Sequence, residues 1–188
     1  MRHNFKKNSI EIRNANLLDI NNLYTIEKTA FGKHHWSKDA FKNELSNDYS
    51  KYLVALIDLK VVGYIGYWRL DSEGHITTLA VDDNYRRNHI ADILLYSLIQ
   101  NAIQSKINWL TLEVRATNYP AINLYHKYKF KQLGIRKKYY QDNNEDALIF
   151  WTENIQDKDF INTTELIFND SLQADRCADK LRYTVAGQ

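Results

Sequence analysis

The chain has 188 residues and a mass of 22.2 kDa, with 44% apolar and 13% aromatic residues, which suits one compact domain and leaves no room for two of full size. Lys plus Arg number 25 against 23 Asp plus Glu, and this net charge of +2 is too balanced for a protein that works mainly by neutralising nucleic-acid phosphates. Six glycines, one proline and one cysteine (Cys177) exclude collagenous, low-complexity, disulfide-framed and multi-cysteine metal classes.

No apolar run approaches the roughly 20 residues that cross a bilayer. The basic start, Met1-Arg2-His3-Asn4-Phe5-Lys6-Lys7, lacks the apolar stretch of a secretory signal. A reducing, cytosol-like compartment is the expectation.

Residues 1–9 read as a polar, frayed arm. Ile10-Glu11-Ile12-Arg13 alternates as a first strand. Asn16 offers an N-cap to a helix carrying Leu17, Ile20, Leu23, Tyr24, Ile26 and Ala30 and ending near Gly32. Ser37 caps a second helix with Phe41 and Leu45. The period then changes to two: residues 52–58, 61–70 and 75–81 are rich in β-branched and aromatic side chains, with turn chemistry at Asp71-Ser72-Glu73-Gly74. Gly63 or Gly66 marks a bulge in the second of these. Ile90, Ile93, Leu94, Leu98, Ile99 and Ile103 recur at helical spacing. Residues 109–114 form a strand, Pro120 opens a helix with Ile122, Leu124, Tyr125 and Tyr128, and strands follow over 131–138 and 147–152.

The order is β-α-α-β-β-β-α-β-α-β-β, a mixed α/β domain over residues 10–152. Residues 153–188 hold seven acidic and four basic side chains, a net −3 against +5 for residues 1–152, and read as a helical or partly disordered tail. Its one apolar cluster is Leu166-Ile167-Phe168, which either packs back or meets a partner.

The informative stretch runs from Ile76 to Ala91, where a strand enters a short basic loop and the loop opens a long helix. A helix start has amide N–H groups without intrahelical partners and a positive dipole end, an arrangement that holds phosphate or pyrophosphate, and Arg86 and Arg87 add charge. Taken alone, a strand–loop–helix with two arginines is more often a solvated connection. On the next strand, Leu110, Leu112 and Val114 face one side and Thr111, Glu113 and Arg115 the other. Glu113 is then either a surface carboxylate paired with Arg115 or a general base. Tyr125 is either core packing or a general acid, and Asn118 either caps the following helix or meets a ligand. His34-His35-Trp36 is not a metal site, because adjacent histidines diverge and no acidic or cysteine cluster is near.

The loop resembles the acetyl-CoA loop of the GNAT N-acetyltransferase superfamily, Arg/Gln-x-x-Gly-x-Gly/Ala: Arg86 fills the first position, Ala91 the last, and His89 stands where the middle glycine belongs. The likeness continues through Leu112-Glu113-Val114-Arg115-Ala116-Thr117-Asn118, Ala121-Ile122-Asn123-Leu124-Tyr125 and Phe130. Trp36-Ser37, Phe41, Glu44-Leu45, and Gly134 to Tyr140 with Glu145-Asp146-Ala147 resemble the RimI subgroup, ribosomal-protein-alanine N-acetyltransferases, in wording closest to cyanobacterial or plastid members.

The resemblance implies acetyl-CoA as cosubstrate without a metal, a protein N-terminus as acceptor, and a cytoplasmic or plastid-stromal location. It implies Glu113 as base and Tyr125 as acid. Leu79, Ala80, Val81, Arg86, Arg87, Asn88, His89, Ile90, Ala91, Asp92 and Asn118 would serve the cofactor, and Trp36, Tyr139 and Tyr140 the acceptor. Tyr128, on the same helix as Tyr125 but outside the motif, is read as packing. His89 carries a Cβ where glycine allows positive φ and close approach to a ligand, so the loop is strained, weakened or benignly altered there. The rivals are acetylation of another amine and a non-catalytic acyl-CoA-binding protein; no membrane partner is expected, and a nucleic-acid module is a distant third.

Overall fold

The computed structural model describes residues 9–174 and 183–185. The expected N-terminal arm therefore lies outside the described residues apart from Ser9, and so does Cys177. Eight strands form one sheet: β1 (Ile10–Asn14), β2 (Ser50–Ile57), β3 (Lys60–Leu70), β4 (Glu73–Val81), β5 (Trp109–Arg115), β6 (Lys131–Tyr140), β7 (Glu145–Trp151) and β8 (Tyr183–Val185). Among the described residues five α-helices accompany them: α1 (Ile20–Phe31), α2 (Lys38–Leu45), α3 (Ile90–Gln104), α4 (Tyr119–Lys127) and α5 (Lys158–Ala174). The spatial order is β6-β7-β5-β4-β3-β2-β1-β8. Among the described residues, only β4–β5 and β1–β8 pair parallel.

Local chemistry sets the helix ends. Asn16 makes a capping box with Asp19, but around a 3-10 turn at Leu17–Asp19 that leads into α1 rather than around α1 itself. Gly32, at φ 57, closes α1 as only glycine does without cost. The Ser37 hydroxyl accepts the Ala40 N–H at 3.1 Å and starts α2.

The alternation of the strands feeds two cores. On one face α3, α4 and α5 bury Ile93, Leu94, Leu98, Tyr128 and Phe168 against Ile76, Leu110, Leu112 and Phe150. On the other, α1 and α2 bury Leu23, Ile26 and Phe41 against Tyr52, Val54 and Tyr64.

The expected tail is helical over α5, and its apolar cluster packs back through Phe168. Ile155, Phe160 and Phe168 belong to the main core, Phe168 stacks on Tyr96 of α3 with centroids 4.0 Å apart, and β8 extends the sheet beside β1. Leu166, from the same apolar cluster, is exposed. The buried stripe of α5 was hidden because two of its members are hydroxyl residues. Thr164 and Ser171 return their hydroxyls to the Phe160 and Ile167 carbonyls four residues back, so they pack as small apolar groups.

Two irregularities shape the sheet around the candidate site. Parallel pairing of β4 and β5 runs from Glu73↔Trp109 to Ile76↔Leu112 and stops, although the strands continue to Val81 and Arg115. Past that point β5 stays with β7 and β4 with β3, so a wedge opens between β4 and β5. The expected bulge lies at Gly66/Tyr67, where the β3–β4 register shifts and Thr77 is the extra residue. Thr77 and Thr78 consequently both reach the α1–α2 face, Thr77 Oγ1 to Tyr52 Oη at 3.3 Å and Thr78 Oγ1 to Tyr64 Oη at 3.4 Å. Gly66 is needed here: a Cβ would stand 2.4 Å from the Tyr52 ring.

Candidate active site

The loop between β4 and α3 is wound by its own side chains. Asp82 accepts the Asn84 N–H at 3.0 Å, and Asn88 Nδ2 donates to the Tyr85 and Arg86 carbonyls at 3.0 and 3.1 Å. Asn88, expected at the cofactor, thus braces the loop with its side chain. The Arg86 guanidinium pairs with Asp83 at 2.8 Å. Arg87 and His89 both have positive φ, 65° and 53°. His89 therefore takes the left-handed conformation that glycine supplies in the motif it resembles, and it immediately precedes α3.

The first intrahelical bond joins Ile93 N–H to the His89 carbonyl at 3.0 Å, so α3 itself does not use the amides of Ile90, Ala91 and Asp92. His89 Nδ1 lies 3.5 Å from Asp92, which also pairs with Lys127 of α4. Burial alone would raise the Asp92 carboxyl, but the hydrogen bonds from His89 and Lys127 outweigh it and hold it low. The imidazole is drawn along the helix toward Asp92.

Glu113 is the first β5 residue past the last β4–β5 pair, at the root of the wedge. Its side chain is 9% exposed, with Oε2 3.0 Å from His75 Nε2 and Oε1 3.1 Å from an Arg136 nitrogen. The His75 hydrogen bond, against the opposing effect of burial and with the His75 and Arg136 charges, holds the carboxyl below its ordinary value. It is ionised at neutral pH. Arg115 is not its partner. That guanidinium grips both oxygens of Asp142 at 3.1 and 3.0 Å, reaches Glu145 at 3.1 Å and lies over the Tyr140 ring at 3.9 Å.

Tyr125 lies on the opposite face of the sheet from Glu113, buried near Phe130 and Phe150. Burial pushes its phenol above the ordinary tyrosine range, so it keeps its proton. Asn118 caps α4, its Oδ1 accepting the Ala121 N–H at 3.3 Å, with the side-chain amide nitrogen left as its donor end. Leu79 and Val81 turn toward the α3 core, and Ala80 is buried on the α1–α2 side. Tyr128 is fully buried in the core.

On the α1–α2 face, the Trp36 ring tilts on Phe41 at 5.7 Å and the Trp36 main-chain N–H donates to Glu27 at 3.1 Å. Glu27 is buried and also accepts the Tyr64 hydroxyl; burial pushes its carboxyl up. Tyr139 and Tyr140 meet edge to face at 5.2 Å near the β6–β7 turn. Asp142 from that turn lies 3.4 Å from His34 Nε2, joining it to the segment after α1. The structure thus gathers Glu113, Tyr140 and Tyr139 on one side of the wedge and the residues of the α3 loop at its far end.

Sequence reasoning missed His75 and Arg136. Alternation alone puts His75 opposite the buried Ile76, but its meeting with Glu113 depends on the parallel register of β4 and β5. Among the described residues, no group of three or more His, Cys, Asp or Glu side chains is placed to hold a metal ion. No helix among them is long and apolar enough to cross a membrane.

The chain matches the Acetyltransferase (GNAT) family over residues 17–130. It is 40% identical over 146 residues to a Bacillus subtilis protein bearing the provisional name ribosomal protein bS18-alanine N-acetyltransferase, covering 77% of this chain and 96% of that one. It is 32% identical over 133 residues to the ribosomal protein bS18-alanine N-acetyltransferase of Escherichia coli, covering 70% and 88%. The crystal structure of an E. coli enzyme of that description superposes with a TM-score of 0.71 at 27% identity, over 77% of this chain and 94% of that one.

Proposed function

Because the chain belongs to the GNAT acetyltransferase family, we propose that it moves the acetyl group of acetyl-CoA onto the α-amino group of a protein N-terminus, the terminal alanine of ribosomal protein bS18 foremost. The observation that carries this reading is the wedge between β4 and β5 with the ionised, half-sequestered Glu113 at its root. The similarity to the bS18-specific enzymes supports the acceptor, and bacterial relatives support a cytoplasmic setting.

The residues present fit acetyl-CoA. Its pyrophosphate suits the first-turn amides of α3, Ile90, Ala91 and Asp92, beside Arg86 and Arg87, with the backbone at positions 87 and 89 in left-handed geometry. The main chain of Leu79–Val81, free of β5, offers its edge to the pantetheine arm as to an added strand. The side-chain amide of Asn118 serves the same ligand. Acetyl-CoA supplies the acetyl thioester.

Glu113 takes a proton from the α-ammonium, whose pKa is about 8, so that the neutral amine attacks. A main-chain N–H of β4 polarises the carbonyl. Proton transfer to a carboxylate held below its usual range is uphill, and His75, 3.0 Å away, is the main reason that it is held low. Tyr125, kept protonated by burial, returns a proton to the departing thiolate. Trp36, Tyr139 and Tyr140 line the approach of the acceptor.

The test compares two peptides with acetyl-CoA: one copying the alanine N-terminus of bS18, and the same peptide with its α-amine blocked and a lysine free. Mass gain on the first alone supports the reading; gain only on the lysine overturns it.

A further inference from the structure

We propose that Arg136 is a built-in stand-in for the acceptor's ammonium group: it occupies the Glu113 carboxylate in the empty enzyme, and the incoming N-terminus must displace it. This deepens the reading above and rests on Glu113 being the group that receives the acceptor's proton.

The two oxygens of Glu113 are held unequally. Oε2 faces His75, whose side chain is 26% exposed, on the neighbouring strand. Oε1 faces Arg136, whose side chain is 53% exposed and comes from two strands away. The reach crosses β7 diagonally: Arg136 registers with Ala147, which pairs with Arg115, whereas the β7 residue paired with Glu113 is Ile149, and only the small Ala147 side chain stands beside the start of that path. An ammonium arriving from solvent on this face meets a carboxylate whose outer oxygen already has a cation.

Arg136 also has a place to go. Its guanidinium is 5.4 Å from the centre of the exposed Tyr139 ring, so it can leave Glu113 and remain on an aromatic face. The strand that carries it is irregular just there, the β6–β7 register shifting between Arg136 and Tyr140.

The other charged groups around Glu113 are committed elsewhere. Arg115 is taken by Asp142 and Glu145, Lys137 by Asp146, and Tyr140 is a neutral phenol with its pKa raised to about 12, chiefly by burial. Among the described residues, His75 on β4 and Arg136 on β6 thus face the carboxylate, and Arg136 is the permanently charged one and the more exposed. An ion pair whose cation is half exposed is a weak competitor, equivalent to a factor of about two to five in binding. It is suited to discouraging adventitious cations without excluding a peptide that makes further contacts.

The experiment measures steady-state kinetics of wild type, Arg136→Gln and Glu113→Gln with acetyl-CoA and the bS18 N-terminal peptide across pH. For Arg136→Gln the acceptor KM should fall about twofold to fivefold, with the acetyl-CoA KM unchanged. Losing the positive charge lets the Glu113 pKa rise, so the acid limb of kcat/KM should move to higher pH. An acceptor KM that stays the same or increases overturns the proposal, an increase marking Arg136 as a direct peptide contact. Loss of turnover in folded Glu113→Gln combined with an unaltered Arg136→Gln would sink the stand-in role alone, whereas full turnover in Glu113→Gln would sink the base assignment itself.

Discussion

His89 is the position where this chain departs from its family's loop pattern, and the structure turns that departure into a measurable expectation. Holding a non-glycine residue in left-handed geometry costs about 1–2 kcal/mol. Replacing His89 by glycine removes that cost. It also raises the entropy of the unfolded chain, worth about 0.4–1 kcal/mol, and removes the 3.5 Å contact with Asp92, worth about 0–1 kcal/mol at this partly exposed pair. Asp92 keeps Lys127. The three effects nearly cancel, so His89→Gly should change stability by no more than about 1 kcal/mol, or roughly 2–4 °C in Tm for a chain of this size. His89→Val loses the same contact and adds a β-branched residue at φ 53°, a conformation that such residues avoid. Its Tm should fall below that of His89→Gly by several degrees, and its acetyl-CoA affinity should be the weaker of the two. Thermal melts and calorimetric titration with acetyl-CoA read both quantities. Equal Tm and equal affinity in the glycine and valine variants would refute the backbone argument.

Three further outcomes follow from other parts of the molecule. Phe168→Ala removes a fully buried ring stacked on Tyr96 and should cost about 3–5 kcal/mol, seen in urea unfolding; a loss below 1 kcal/mol would mean that α5 is not part of the cooperative core. The Glu145 carboxyl is drawn down to about 2, first by the Thr117 hydroxyl and then by the Thr117 N–H, Asn143 and Arg115. Its folded value lies below the unfolded one of about 4.3, so its contribution to the β6–β7 turn is present above that pH and is lost as pH falls toward 2. A carbon NMR titration of this carboxyl with an ordinary midpoint would contradict the Thr117–Glu145–Arg115 clasp. Gly66→Ala drives a Cβ into the buried Tyr52 ring and should destabilise by about 1–3 kcal/mol, read by a thermal melt; an unchanged Tm would show that the ring gives way freely.

Much of this architecture was readable from periodicity. A helix over residues 90–106 follows from Ile90, Ile93, Leu94, Leu98, Ile99 and Ile103 at helical spacing, against the observed Ile90–Gln104, and the strands follow from alternation bounded by turn residues. The α5 stripe was not, because Thr164 and Ser171 count as polar until their hydroxyls are seen returning to the helix backbone. The side-chain direction of Glu113 followed from the strand period, but its neighbours did not. Arg115, two residues away on the same face, looked like the natural partner, and it was claimed instead by Asp142 and Glu145 from a turn about thirty residues on. His75 and Arg136 reach Glu113 through the β4–β5 and β6–β7–β5 registers, which are long-range facts that no local pattern encodes. Asn118 showed the helix-capping role in full, while its part toward acetyl-CoA rests on resemblance.

The central claim is that Glu113 accepts the acceptor's proton at the root of the β4–β5 wedge. Its most direct test is turnover of Glu113→Gln with acetyl-CoA and the bS18 alanine peptide, beside acetyl-CoA binding by the same protein. The account expects kcat to fall by about a hundredfold to ten-thousandfold with a steeper dependence on pH, while acetyl-CoA affinity and the thermal melt stay close to wild type. Turnover within about twofold of wild type, with an unchanged pH profile, would contradict it.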